Sequence, residues 1–101
     1  MINVIASIEI KEGKLAEFIE IFKANIPEVF KEKGCIEYMP TVDIKTGLPP
    51  QDLNDKVVTI IEKWDSVEDL QAHLSAPHMI SYQKKVKNIV EKVSIKVLKE
   101  A

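Results

Sequence analysis

Residues 2 to 10 alternate, with Ile2, Val4, Ala6, Ile8 and Ile10 on one side and Asn3, Ile5, Ser7 and Glu9 on the other, the period of a half-buried strand. Gly13 breaks the pattern and the period then lengthens. Leu15, Phe18, Ile19, Phe22, Ile26, Val29 and Phe30 recur at i, i+3, i+4, i+7 spacing and predict a long helix with one apolar stripe. Pro27 removes a backbone hydrogen bond inside it, which predicts a kink near Lys23 to Ile26, and Gly34 is placed to end it as a C-cap. A second strand, Cys35 to Val42, carries Ile36, Tyr38 and Val42. Pro40 cannot donate to a ladder and belongs at an edge or a bulge.

The stretch Asp43 to Asp55 has no hydrophobic period and contains Gly47, Pro49 and Pro50, so it reads as a long loop: a lid, an interface arm, or an exposed connection. In the third strand, Val57 to Trp64, Val57 and Ile61 point one way while Val58 and Ile60 point the other. Both faces want burial. A four-stranded sheet with helices on one side leaves its other face wet, so an apolar second face predicts a cover, most simply a second copy of the chain.

Ser66 with Asp69 approaches a capping box, and Val67, Leu70 and Leu74 form the buried stripe of the helix that follows. Ala76 and Pro77 interrupt it. Met79, Tyr82, Val86, Ile89, Val90 and Val93 then predict another helix to about Lys92, and Ser94 to Leu98 a last strand. The order β-α-β-β-α-β is the split βαβ, an α+β ferredoxin-like fold with an antiparallel four-stranded sheet.

Composition narrows the class. The 101 residues make one expected domain, 1–101, and 46% hydrophobic with 30% charged residues is ordinary globular usage. No apolar run reaches the roughly 18 residues of a membrane span, and Glu9, Lys11 and Glu12 interrupt the amino terminus before a signal peptide could form. The expected location is cytoplasmic. The single Cys35 cannot form an internal disulfide and reads more readily as a buried strand residue than as a nucleophile. Net charge is −2 with both signs interspersed, which argues against nucleic acid as a partner; Lys84, Lys85 and Lys87 read as a solvated helix face.

The candidate chemistry is concentrated between Val57 and Tyr82. His73 and His78 are five apart, without the spacing that puts two metal ligands on one helical face, and no Gly-rich phosphate loop or nucleotide fingerprint is present. Neither a metal nor a flavin or nicotinamide cofactor is implied. His73 lies about 90° from the centre of the Leu70 and Leu74 stripe, at the core margin, which suits a residue lining a cleft and, somewhat better, a surface histidine. His78 starts a helix, where the dipole favours a neutral ring: a base, or a residue bonded to local backbone. Glu62 and Trp64 share a strand face; Trp64 reads as packing, and Glu62 needs a partner if buried. Tyr38 and Tyr82 offer rings that can line an aromatic pocket or simply pack.

The stretches VIASIEIKEGKLAEFIEIFKANIPEVFKEKGCIEY and VVTIIEKWDSVEDLQAHLSAPHMISY resemble the antibiotic biosynthesis monooxygenase family of dimeric α+β barrels, most closely its quinol monooxygenase branch. The resemblance covers nearly the whole chain, including Glu62-x-Trp64, Ala72-His73-Leu74 and Pro77-His78-Met79. It implies a homodimer that uses dioxygen, without a cofactor, to oxidise an electron-rich aromatic such as a hydroquinone. It also implies His73 or His78 as base, with Tyr38, Glu62, Trp64, Met79 and Tyr82 around the substrate. Haem-degrading relatives depend on an Asn, a Trp and a His at positions that here hold Ala6, His73 and Gln83, so haem breakdown is disfavoured. The competing readings are a non-catalytic dimer, whether a small ligand-binding or a stress-associated protein of the same fold, and an isomerase of a phosphorylated metabolite. The second needs a cationic pocket, in a chain that has no Arg and carries its Lys mainly on polar helix faces.

Overall fold

The computed structural model describes residues 1–101. Its elements are β1 (Ile2–Ile10), α1 (Leu15–Phe30), β2 (Cys35–Val42), β3 (Val57–Trp64), α2 (Val67–Leu74), α3 (Pro77–Val86) and β4 (Val90–Leu98). The strands form one sheet in the order β2-β3-β1-β4, every neighbour antiparallel. This is the ferredoxin-like α+β arrangement, with the second helical segment broken in two at Pro77.

Strand alternation decides what is buried. Val4, Ala6, Ile8 and Ile10 of β1 and Val58, Ile60, Glu62 and Trp64 of β3 face the helices and are buried, as is Tyr38 opposite Glu62. From α1 they meet Phe18, Phe22 and Val29, and from the later helices Leu70, Met79, Tyr82 and Val86. Each large apolar side chain taken from water here contributes about 1.5 to 3 kcal/mol. On the opposite face Ile5 lies directly across from Ile61, and Met39 borders Ile61 from β2; Val57 and Ile61 are half-buried, so the third strand is apolar on both sides.

Several boundaries differ from expectation. α1 continues unbroken through Pro27 and ends at Phe30 with Lys31 as its cap, while Gly34 sits further on, in the turn, at φ +84°. α3 stops at Val86 rather than Lys92, and β4 begins at Val90 rather than Ser94. The spacing of Val86, Ile89, Val90 and Val93 fits a helix, but long-range pairing prevails: the Lys11 amide donates to the Ile89 carbonyl at 2.9 Å and Val90 pairs with Ile10. β2 is an edge strand, which accommodates Pro40, and its irregularity lies between Cys35 and Glu37. Ser66 caps α2 as expected, its hydroxyl accepting from the Asp69 amide at 3.1 Å.

The helix layer covers β2, β3 and β1 but not β4. Val93, Ile95 and Val97 pair with Ile8, Ala6 and Val4, and so face the helix side, yet remain 46–57% exposed. The loop between β2 and β3 is tied to itself. Asp43 accepts from the Asn54 amide at 2.8 Å, Gln51 donates to the Ile44 carbonyl at 2.7 Å, and Ile44, Leu48 and Leu53 point into solvent.

Candidate active site

Between the sheet and α3 the layers part around a cavity of about 540 Å³. The space opens where β1 carries Ala6 between Val4 and Ile8, and it extends along the uncovered side of β4, where Val93 and Ile95 line it. Phe22 and Tyr38 form one wall; Met79, Tyr82 and Val86 form another. Mostly apolar surroundings with a few polar groups are what a small-molecule site needs.

The aromatic side chains brace one another. Phe22 stacks on Tyr38 at 5.3 Å and meets Tyr82 edge-on at 5.8 Å. Tyr38 in turn meets the His73 ring edge-on at 5.4 Å, and Trp64 packs on that ring at 4.7 Å. Burial pushes the phenols of Tyr38 and Tyr82 far up, so both stay neutral and can donate hydrogen bonds at any physiological pH.

Glu62 reaches the same cavity, and the partner its burial demands is Trp64, whose indole Nε1–H donates to Oε1 at 2.9 Å. Burial pushes its carboxyl up to about 6; the indole hydrogen bond acts the other way, and the Glu32 charge adds to the rise.

His73 is 2% exposed and lines the cavity, deeper than its helical angle predicts. Three side chains from outside α2 account for this: Trp64 packs on its ring, Tyr38 meets it edge-on, and Glu32 satisfies one of its nitrogens. The His73 Nδ1 lies 2.8 Å from Glu32 Oε2. Burial holds the imidazole below its ordinary range, against the pull of Glu32 in the opposite direction, so the ring is neutral at pH 7.

The same Glu32 oxygen is 3.1 Å from Nε2 of His78. Glu32 escapes a reading based on helical or strand period, because it lies in the turn after α1. One signal was there: an acidic side chain just past a helix C-terminus opposes the dipole, and the last turn of α1 holds no basic residue.

Of the seven residues singled out in the sequence, five line the cavity: Tyr38, Glu62, His73, Met79 and Tyr82. Trp64 is fully buried and presents no surface to a ligand. His78 does not line the cavity and instead borders a depression of about 210 Å³ shared with Asn25 and Ser81. Lys84 and Lys87 do border the cavity, where helix polarity placed them in solvent alone. Cys35 is half-buried at the start of β2, its thiol pushed up to about 11 by burial. No three His, Cys, Asp or Glu side chains are grouped to hold a metal ion.

The profile of antibiotic biosynthesis monooxygenases matches residues 1–85. The chain belongs to the antibiotic biosynthesis monooxygenase family. Family membership makes it an oxidoreductase of the monooxygenase type. It is 36% identical over 100 residues to the protein named probable quinol monooxygenase YgiN of Escherichia coli K12, spanning 97% of this chain and 96% of that one. A crystal structure of a conserved protein from Methanosarcina mazei superposes with a TM-score of 0.83 at 24% identity, covering 99% of this chain and 92% of the other. One from Deinococcus radiodurans, described as an antibiotic biosynthesis monooxygenase, superposes at 0.82 with 17% identity, covering 100% and 93%. At those identities the two structures establish the family fold alone.

Proposed function

We propose that this family member is a cofactor-independent monooxygenase that oxidises an electron-rich aromatic, such as a hydroquinone, with dioxygen, in the cytoplasm and as a homodimer. The observation that carries the reading is a neutral imidazole, that of His73, set into the wall of an apolar cavity in contact with the rings of Trp64 and Tyr38. The E. coli relative named a quinol monooxygenase supports the substrate class.

His73 takes the proton from a phenolic hydroxyl of the substrate. A phenol titrates near 10, so its anion is scarce at neutral pH, and a positioned base contributes roughly 10² to 10⁴ in rate. The phenolate passes one electron to dioxygen, which lifts the spin barrier and leaves a semiquinone radical beside superoxide. Their recombination forms a carbon–oxygen bond on the ring, and loss of water breaks the oxygen–oxygen bond. Hydroquinone plus dioxygen then gives hydroxyquinone plus water, with all four electrons drawn from the substrate. Tyr38 and Tyr82, fixed as neutral donors, orient the ring. Glu62 and Met79 complete the wall around it.

The open volume favours an enzyme over a filled, non-catalytic relative. Oxygen uptake by chelator-treated protein with a panel of hydroquinones, corrected for autoxidation, tests the reading. Uptake above the blank that falls roughly 100-fold or more in His73→Ala is expected. No uptake with any hydroquinone, or an unaffected variant, would reject it.

A further inference from the structure

One carboxylate, outside the cavity lining, touches both histidines. We infer that Glu32 is the positioning residue of this site, its Oε2 accepting from Nδ1–H of His73 and from Nε2–H of His78, which leaves Nε2 of His73 as the unprotonated nitrogen facing the substrate. The deduction follows from what each group can do. An ionised carboxylate only accepts, so the ring nitrogens at 2.8 and 3.1 Å must both be donors. The neutral imidazole of His73 has a single N–H, so its second nitrogen carries a lone pair.

The lone pair of His73 and the second nitrogen of His78 meet different surroundings. His78 Nδ1 is sealed from solvent and has no partner. In His73 the lone pair falls on Nε2, on a ring that lines the cavity. Nε2 is therefore the basic atom of the pair that a ligand can reach.

The chain goes to some length to hold Glu32 there. Its amide donates to the Val29 carbonyl at 3.0 Å, and two residues on, Gly34 closes the turn in the left-handed region. That turn is docked on the entry to α2: the Gly34 carbonyl accepts from the Asp65 amide at 2.9 Å, and the Asp69 side chain lies against the Gly34 Cα. His73 follows Asp69 by one helical turn. The carboxylate is thus built into the frame that presents the base, on a helix end whose dipole would rather have a cation.

The assignment rests on His73 being the base, and its test has a readout that needs no turnover. The chain contains two histidines, so nitrogen-15 spectra of labelled protein at pH 8 resolve just four ring nitrogens. Wild type is expected to show the proton on Nδ1 of His73 and on Nε2 of His78. In Glu32→Gln the amide can donate to His73, and the proton moves to Nε2. With the nitrogen facing the substrate blocked, kcat is expected to fall roughly 100-fold or more while KM changes little, the behaviour of a wrong tautomer in the serine protease triad. Finding the proton on Nε2 of His73 in wild type would overturn the assignment, as would a Glu32→Gln protein unchanged in both tautomer and kcat. Tautomers as expected in a wild-type protein that oxidises no hydroquinone would leave Glu32 in place and reject the oxygenase reading instead.

Discussion

Glu62 shows how a single buried carboxyl shapes the pH behaviour of the whole protein. Its ordinary value is 4.5 and its folded value about 6, because burial penalises the charge. The folded protein therefore keeps this proton longer than the unfolded chain does. Stability from this source is full below pH 4.5 and is lost as pH rises through 6, a loss of about 2 kcal/mol. Glu62→Gln keeps an acceptor for the Trp64 indole and removes the charge. Urea unfolding at pH 8 is expected to show the variant more stable by about 1 to 2 kcal/mol, with the advantage gone at pH 4. A variant less stable than wild type at pH 8 would contradict this account. From the sequence, Glu62 would need a partner if buried. That the partner is Trp64, two residues along the same strand face, follows from their shared side of the pleat.

At the scale of elements, period carried most of the information. β1, α1 and β3 stand where their apolar positions put them, because in each the buried face is set by residues close in sequence. The passage from α3 to β4 was illegible for the opposite reason: Val90 and Val93 fit a helical stripe, and only Ile10 and Ile8, some 80 residues earlier, hold them in a strand. His73 belongs to the same class. Its place on α2 gives the angle, but Trp64, Tyr38 and Glu32 come from three other segments and together sink it from the margin into the core.

The turn between α1 and β2 is the element on which this convergence depends. A Cβ at Gly34 would lie 2.8 Å from Cβ of Asp69, and the backbone there is left-handed. Gly34→Ala is expected to cost roughly 2 kcal/mol or more, seen as a lowered midpoint in thermal unfolding. An unchanged midpoint would mean that the turn is not held as described.

For the whole molecule, the sheet face away from the helices is the feature that one chain leaves unexplained. Ile5 and Ile61 lie at its centre with Met39 beside them, and the loop between β2 and β3 holds Ile44, Leu48 and Leu53 out in water. Ile5 and Ile61 are half-buried while Met39 and the loop residues are exposed, apolar surface of the kind that suits an interface with a second copy. Sedimentation equilibrium at micromolar concentration is expected to give twice the 11.5 kDa of one chain. A mass of one chain under those conditions would rule out the homodimer. No helix is long and apolar enough to cross a membrane.

One oxygen atom of Glu32 touches a ring from α2 and a ring from α3, and itself hangs from the end of α1. All three helices are thus pinned together at a point no wider than an atom, and the sheet takes no part in the pin. A displacement of that one oxygen would reach both imidazoles together, so neither histidine can lose this acceptor alone.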